Sequence, residues 1–204
     1  LLEHLTYSDE AALLERFKTR FAEYRALDAD ILPLAVENTN IKAQRLSFGP
    51  AQDAVDAFRQ AIDAAGRMAA AKNAPAVEAR VAKATAAVLE VQVIEARHIA
   101  ESGEAAMSRM EAAMATSASA AKKALDTLKG LLPRGAEPQL AAAEDALARF
   151  TAINAEIVAL SRRNSNVRSL ALSLGKKRTV TAECDATLQA LEDALATHHF
   201  AATR

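Results

Sequence analysis

The chain repeats itself. Asn38-Thr39-Asn40-Ile41-Lys42 returns 126 residues later as Asn164-Ser165-Asn166-Val167-Arg168, and both copies continue to a serine (Ser47, Ser173) and a glycine (Gly49, Gly175) at equal spacing. The correspondence runs upstream without a gap, pairing Tyr24 with Phe150, Leu27 with Ile153, Ile31 with Ile157 and Leu34 with Leu160. Any fold for this sequence must give these two segments like conformations, since like residues at like spacing meet the same local constraints. The repeat predicts two related helical hairpins, each with amide and basic groups at one level. A weaker echo, at an offset of 94 residues, sets His4-Leu5, Ser8 and Glu10 to Leu13 against His98-Ile99, Ser102 and Glu104 to Met107. The two offsets differ by 32 residues, about a helix and a turn, as if one copy of a duplicated ancestor kept a segment that the other lost. Shared composition is the other source of such an echo.

Each segment should be helical. Only 6 Gly and 5 Pro interrupt 204 residues, aromatic residues make up 4%, and Trp is absent, so Ala and Leu supply most of the apolar mass. Ala, Leu, Glu, Lys and Arg lose little side-chain freedom in a helix. The expected class is all-α: an elongated up-and-down bundle of five or six helices, or two stacked four-helix modules. A net charge of −1 argues against a nucleic-acid binder, which needs a cationic face. Cys184 is alone, so no intrachain disulfide forms. No apolar run approaches the roughly 18 residues of a membrane span, and no signal peptide is evident. The first residue, Leu1, fits an excised fragment.

Hydrophobic spacing marks the helices. Ser8-Asp9-Glu10 resembles an N-cap with an acidic first turn, and Leu13, Phe17, Phe21, Tyr24, Leu27, Ile31 and Leu34 recur at steps of three or four. That helix is expected to reach Ser47, with a kink near Asp30 caused by Pro33, and to end at Gly49-Pro50. A second helix spans 52–72. Pro75 suits the first turn of a third. From there to Leu132 the spacing allows one helix of roughly 85 Å or two divided at Ser102-Gly103-Glu104. Leu132-Pro133-Arg134-Gly135 is the clearest hinge; helices are expected over 137–174 and 180–200, with a frayed tail. The chain thus reads as one domain, 1–204, with repeat halves of about 8–73 and 137–200 joined by a helical segment over 75–132.

Few residues suggest chemistry. Glu95-Ala96-Arg97-His98 has the Glu-x-x-His spacing of di-iron bundles, but that site needs a second such pair and two more carboxylates. His4, His198 and His199 lack a Glu three residues before them, and His198 and His199 point about 100° apart on a helix. No metal or other cofactor is expected, and His98 reads as solvated or capping. No phosphate loop, zinc motif or nucleophile elbow occurs, so no enzyme is expected. Cys184, Met107, Met110 and Met114 fall on apolar stripes and read as core; Lys176-Lys177-Arg178 reads as a solvated loop. The repeated Asn and basic residues stand out. Asn38 and Lys42 share a helical face, as do Asn164 and Arg168. If the two segments face each other, Lys42 and Arg168 oppose one anion, with Asn38, Asn40, Arg45, Asn164 and Asn166 around it. The alternative is architectural: buried Asn pairs that fix helix register.

Ser8 to Phe17, Glu95 to Glu104, Ala152 to Leu160 and Asn164 to Gly175 together resemble the extracytoplasmic helical-bundle ligand-binding domains of bacterial methyl-accepting chemotaxis receptors and some sensor histidine kinases. The resemblance implies an up-and-down bundle between two membrane spans, single or as two stacked modules. It also implies a small ligand, commonly a carboxylate, held between helices, and a small helix displacement passed to a cytoplasmic rod. The arginine pattern of the amino-acid-binding members is absent, so their binding residues do not carry over. The expected function is a periplasmic sensor of an inner-membrane receptor, homodimeric, binding an organic acid and no nucleic acid, with membrane spans outside this chain. A structural or interaction bundle of the granule-coating or scaffold type, with no small ligand, is the competing class.

Overall fold

The computed structural model describes residues 7–197. Nearly all are helical and none lies in a strand, so the all-α bundle expected from composition is what forms. Eight α-helices follow one another: α1 (Ser8–Glu37), α2 (Thr39–Leu46), α3 (Gln52–Gly66), α4 (Ala74–Ala100), α5 (Glu104–Leu131), α6 (Glu137–Arg163), α7 (Ser165–Leu172) and α8 (Arg178–Thr197). His4, His198, His199, the first residues of the weaker echo and the tail past Phe200 lie outside the described residues. No described helix is long and apolar enough to cross a membrane.

The repeat is conformational as well as chemical. In each copy a long helix stops at an asparagine in the left-handed region: Asn38 at φ 53°, ψ 42° and Asn164 at φ 51°, ψ 37°. Asn tolerates this region better than most residues with a side chain. An eight-residue helix follows, then a five-residue π-helical turn, Ser47–Ala51 or Ser173–Lys177, and then another α-helix. The helix expected to run unbroken to Ser47 is therefore interrupted at Asn38, and that over 137–174 at Asn164. Gly49-Pro50 does not end a helix either. The wider π-turn separates the proline ring from the carbonyl of the preceding turn, so the chain continues into α3. Pro33 is accommodated within α1. The second helix is shorter than expected, ending at Gly66 rather than Lys72. Glu101 to Gly103 divide the long central segment into α4 and α5, and Pro75 lies in the first turn of α4.

Two compact units result, and the chain passes between them at the two left-handed asparagines. The four-helix unit comprises Asn38–Asn164, in which α2 and α3 form one rod through the first π-turn beside α4, α5 and α6; the helix-pair unit is formed by described residues 7–37 and 165–197, with α7 and α8 likewise one rod beside α1. In the four-helix unit, α2 and α3 pack along α6, and α4 packs along α5. Phe58, Ile62, Leu125, Leu128, Phe150 and Ile157 are nearly inaccessible to solvent, each worth about 1.5–3 kcal/mol of burial. Wholly buried alanines, among them Ala43, Ala84, Ala121, Ala143 and Ala146, let the helices approach closely. Met107 and Met114 also fill this interior, as their spacing predicted.

In the helix-pair unit, α1 runs antiparallel to α7 and α8 around a small core of Leu27, Ile31, Val180 and Cys184, flanked by Phe17, Tyr24 and Leu172. Burial, the largest influence on the Cys184 thiol, raises its pKa, as suits a structural cysteine. Arg20 reaches Glu183 at 2.8 Å and Lys176 reaches Glu23 at 3.3 Å. Lys177 pairs with Asp28 and lies 4.7 Å from the Tyr24 ring centroid, a cation–π contact. Lys176-Lys177-Arg178 is thus no solvated loop: the π-turn keeps it helical and aims two of its cations at α1.

Candidate functional site: a polar end of the four-helix unit

The asparagines of the repeat act first as caps. Asn40 on α2 donates from Nδ2 to the Ile99 carbonyl at 2.9 Å and to Asn164 Oδ1 at 2.8 Å. Asn164 Nδ2 donates in turn to the Glu101 carbonyl at 2.9 Å. The last carbonyls of α4, which no helical N–H can reach, are thereby satisfied by side chains from α2 and from the end of α6. Glu101 completes the turn. Its Oε1 accepts the Gly103 and Ser102 amides at 2.7 and 2.8 Å, and those bonds, Gly103 first, hold its pKa below the ordinary carboxylate value.

One turn deeper lies a chain of polar side chains, buried at His98 and Ser161 and half-buried at Glu111 and Arg162. His98 is fully buried, which corrects its expected solvated or capping role: its ring is enclosed by Ser161 and Glu111. Ser161 Oγ spends its only hydrogen on the His98 carbonyl at 2.8 Å, so it must accept from Nδ1, also at 2.8 Å. Glu111 Oε1 accepts from Nε2 at 2.9 Å. The ring is thus held at both of its nitrogens. Arg162, on α6, grips Glu111 with a fork, Nε at 2.6 Å and Nη2 at 3.0 Å, and also pairs with Glu104 and Ser108. The Arg162 hydrogen bond is the chief reason the Glu111 pKa is lowered, with His98 adding to it against the effect of burial.

Glu95, three residues before His98, is also fully buried, and neither of its carboxylate oxygens has a hydrogen bond of ordinary geometry. Burial pushes its pKa up; the nearby Ser47 hydroxyl, in the first π-turn, opposes this weakly. The Glu-x-x-His spacing thus places both residues in the interior, but among the described residues no group of three or more His, Cys, Asp or Glu is arranged to hold a metal.

The anion-site residues inferred from sequence divide between the units. Asn38, Asn40, Lys42, Arg45 and Asn164 belong to the four-helix unit; Asn166 and Arg168 belong to the helix pair. Asn40 and Asn164 are joined to one another, and each uses its amide on the α4 terminus. Lys42, Arg45 and Arg168 are exposed. Sequence spacing singled out Glu95 and His98 but missed Ser161, Glu111 and Arg162 as the group around the His98 ring, because they come from α5 and α6. The cue available was a Glu and a His placed on the inward side of an otherwise apolar helix. No protein-family model, curated protein or solved structure matches this chain.

Proposed function

We propose that the chain is the extracytoplasmic sensor portion of a transmembrane chemoreceptor, acting by ligand binding and helix displacement and not by catalysis. The observation that carries this reading is the direction of the helix pair. Contacts of Arg20 with Glu183, Glu23 with Lys176 and Asp28 with Lys177 set α1 antiparallel to α8, so Ser8 and Thr197 come to one end of the pair. Two membrane spans following such helices would enter a bilayer side by side, and a shift of α8 along α1 would reach it directly. In this proposal the domain is periplasmic, works as a homodimer, and takes a small organic acid, with the exposed Lys42 and Arg45 of the four-helix unit supplying charge.

A thermal-shift screen of short organic acids tests it. A true ligand at about 100 times its Kd adds about 2.7 kcal/mol, which raises the melting temperature by about 5–10 °C. The Lys42→Ala and Arg45→Ala variants should lose most of that shift. If no acid stabilises the wild-type chain, the ligand-binding claim fails. The interaction-bundle reading draws on the exposed Phe21, Leu32, Val36 and Leu188 of the helix pair. It predicts strong binding to anionic vesicles and a non-cooperative melt without them.

A further inference from the structure

From the four-helix unit we infer a second binding site, a trough between α5 and α6 that takes an amphiphile with one carboxylate head and a medium-length apolar body. It shares no residue with the candidate anion set. α5 packs chiefly on α4, and α6 on α2 and α3, so α5 and α6 meet over a shorter length. Ion pairs strap the two helices together at both ends: Arg162 to Glu104 and Glu111 at one, Lys129 to Glu144 at the other. Between the straps the facing side chains are small, including Ala118, Ala148, Ala152 and Ala155, and cannot fill the spacing that the straps impose. A hollow of about 760 Å³ is left. That volume is ordinary for a small-molecule site, which is mostly apolar with few polar groups.

The lining specifies the ligand class. Leu125 and Leu147, nearly buried, supply branched apolar surface beside the alanines. The acid at the rim, Glu144, is already neutralised by Lys129. The base at the rim, Lys122, is exposed and makes no ion pair among the described residues. The trough is therefore apolar with one uncompensated positive charge, the complement of an alkyl or aryl carboxylate. An amine of the same length would meet repulsion, and a short dicarboxylate would leave the apolar wall in water.

Decanoate is the probe, below its micelle-forming concentration, with decylammonium and succinate as controls. The chain has no Trp, so Ala152→Trp places a single fluorophore in the trough and fills it. Decanoate should raise the melting temperature of the wild type in a saturable way, and decylammonium and succinate should not do so through this trough. Lys122→Glu should weaken decanoate binding at least tenfold, and Ala152→Trp should abolish it while the variant still melts cooperatively. The site is overturned if decanoate fails to stabilise the folded wild type, if Lys122→Glu binds it equally well, or if decylammonium does as well as decanoate. It is also overturned if the wild type is a dimer that Ala152→Trp dissociates, since a second copy would then own the trough. Succinate stabilisation that depends on Lys42 or Arg45 but not on Lys122 reports on the sensor reading alone, so the two proposals fail separately.

Discussion

Asn164 serves two physical purposes that substitutions can separate. Its backbone is left-handed, which costs most L-residues about 1–2 kcal/mol, and its amide joins Asn40 to the Glu101 carbonyl. Asn164→Gly removes the hydrogen bonds but adopts the same backbone freely, for an expected loss of about 1–2 kcal/mol. Asn164→Ala forfeits both and should lose about 2–4 kcal/mol by urea denaturation. Equal losses in the two variants would show that the backbone conformation carries no penalty. Glu95 gives a prediction of opposite sign. Its folded pKa is raised by burial, so between the ordinary carboxylate value and that raised value the folded state holds more protons than the unfolded state. Stability must fall as pH rises through that window. Glu111 has a lowered pKa, so its contribution is full above the ordinary value and is lost as pH falls through the folded one. The contribution of these two groups alone is greatest between their folded pKa values. Glu95→Met removes the first dependence. Its melting temperature should exceed that of the wild type at pH 7, by the equivalent of about 1–3 kcal/mol, and the gap should close towards pH 4. A gap that stays constant with pH would mean that Glu95 is not the titrating group.

At the scale of elements, the apolar stripes were readable because burial in a helical bundle repeats every three or four residues. Val55, Phe58 and Ile62 on α3 and Leu140, Leu147 and Phe150 on α6 are all buried, in the positions their spacing gives. The same spacing reads straight through Asn38 and Asn164, because a single left-handed residue shifts the stripe without erasing it. The repeat located these positions but not their conformation; two asparagines flanking a Thr or Ser inside an apolar stripe were the available sign. The π-turns were hidden for a related reason. One extra residue per turn leaves a helix, and Gly49-Pro50 has a composition that elsewhere marks a stop. Lys176 and Lys177 were misplaced by the same route, since a loop was assumed where a wide helical turn carries them back to Glu23, Tyr24 and Asp28. For the candidate site, the asparagines were legible as polar residues at matched levels. Their engagement with the α4 carbonyls depends on which helices are neighbours, and spacing along one chain does not contain that information.

The whole molecule joins two units of unequal resources. The four-helix unit is a continuous stretch whose single core draws on α2 to α6, whereas the helix pair gathers both flanking segments around a cluster of four buried hydrophobic residues among those described. A pair of helices with so small a core buries little apolar area to set against the conformational entropy of its 64 described residues, about 1–2 kcal/mol each. Its cross-helix ion pairs are partly exposed, each worth roughly 0–1 kcal/mol, and do not close that gap. The two units should therefore open at different free energies. In native-state hydrogen exchange, amides of Leu27, Ile31, Val180 and Cys184 are expected to exchange through a sub-global opening. Those of Phe58, Leu125, Phe150 and Ile157 should require global unfolding. A fragment spanning 38–164 should retain a cooperative melt, and Phe58→Ala, at a cost of about 3–5 kcal/mol, should weaken it as much as it weakens the full chain. If amides in α1 and α8 prove as protected as those of α3 to α6, or if the fragment fails to fold, the units are one cooperative body. In that case the small core of the helix pair is not what limits its stability.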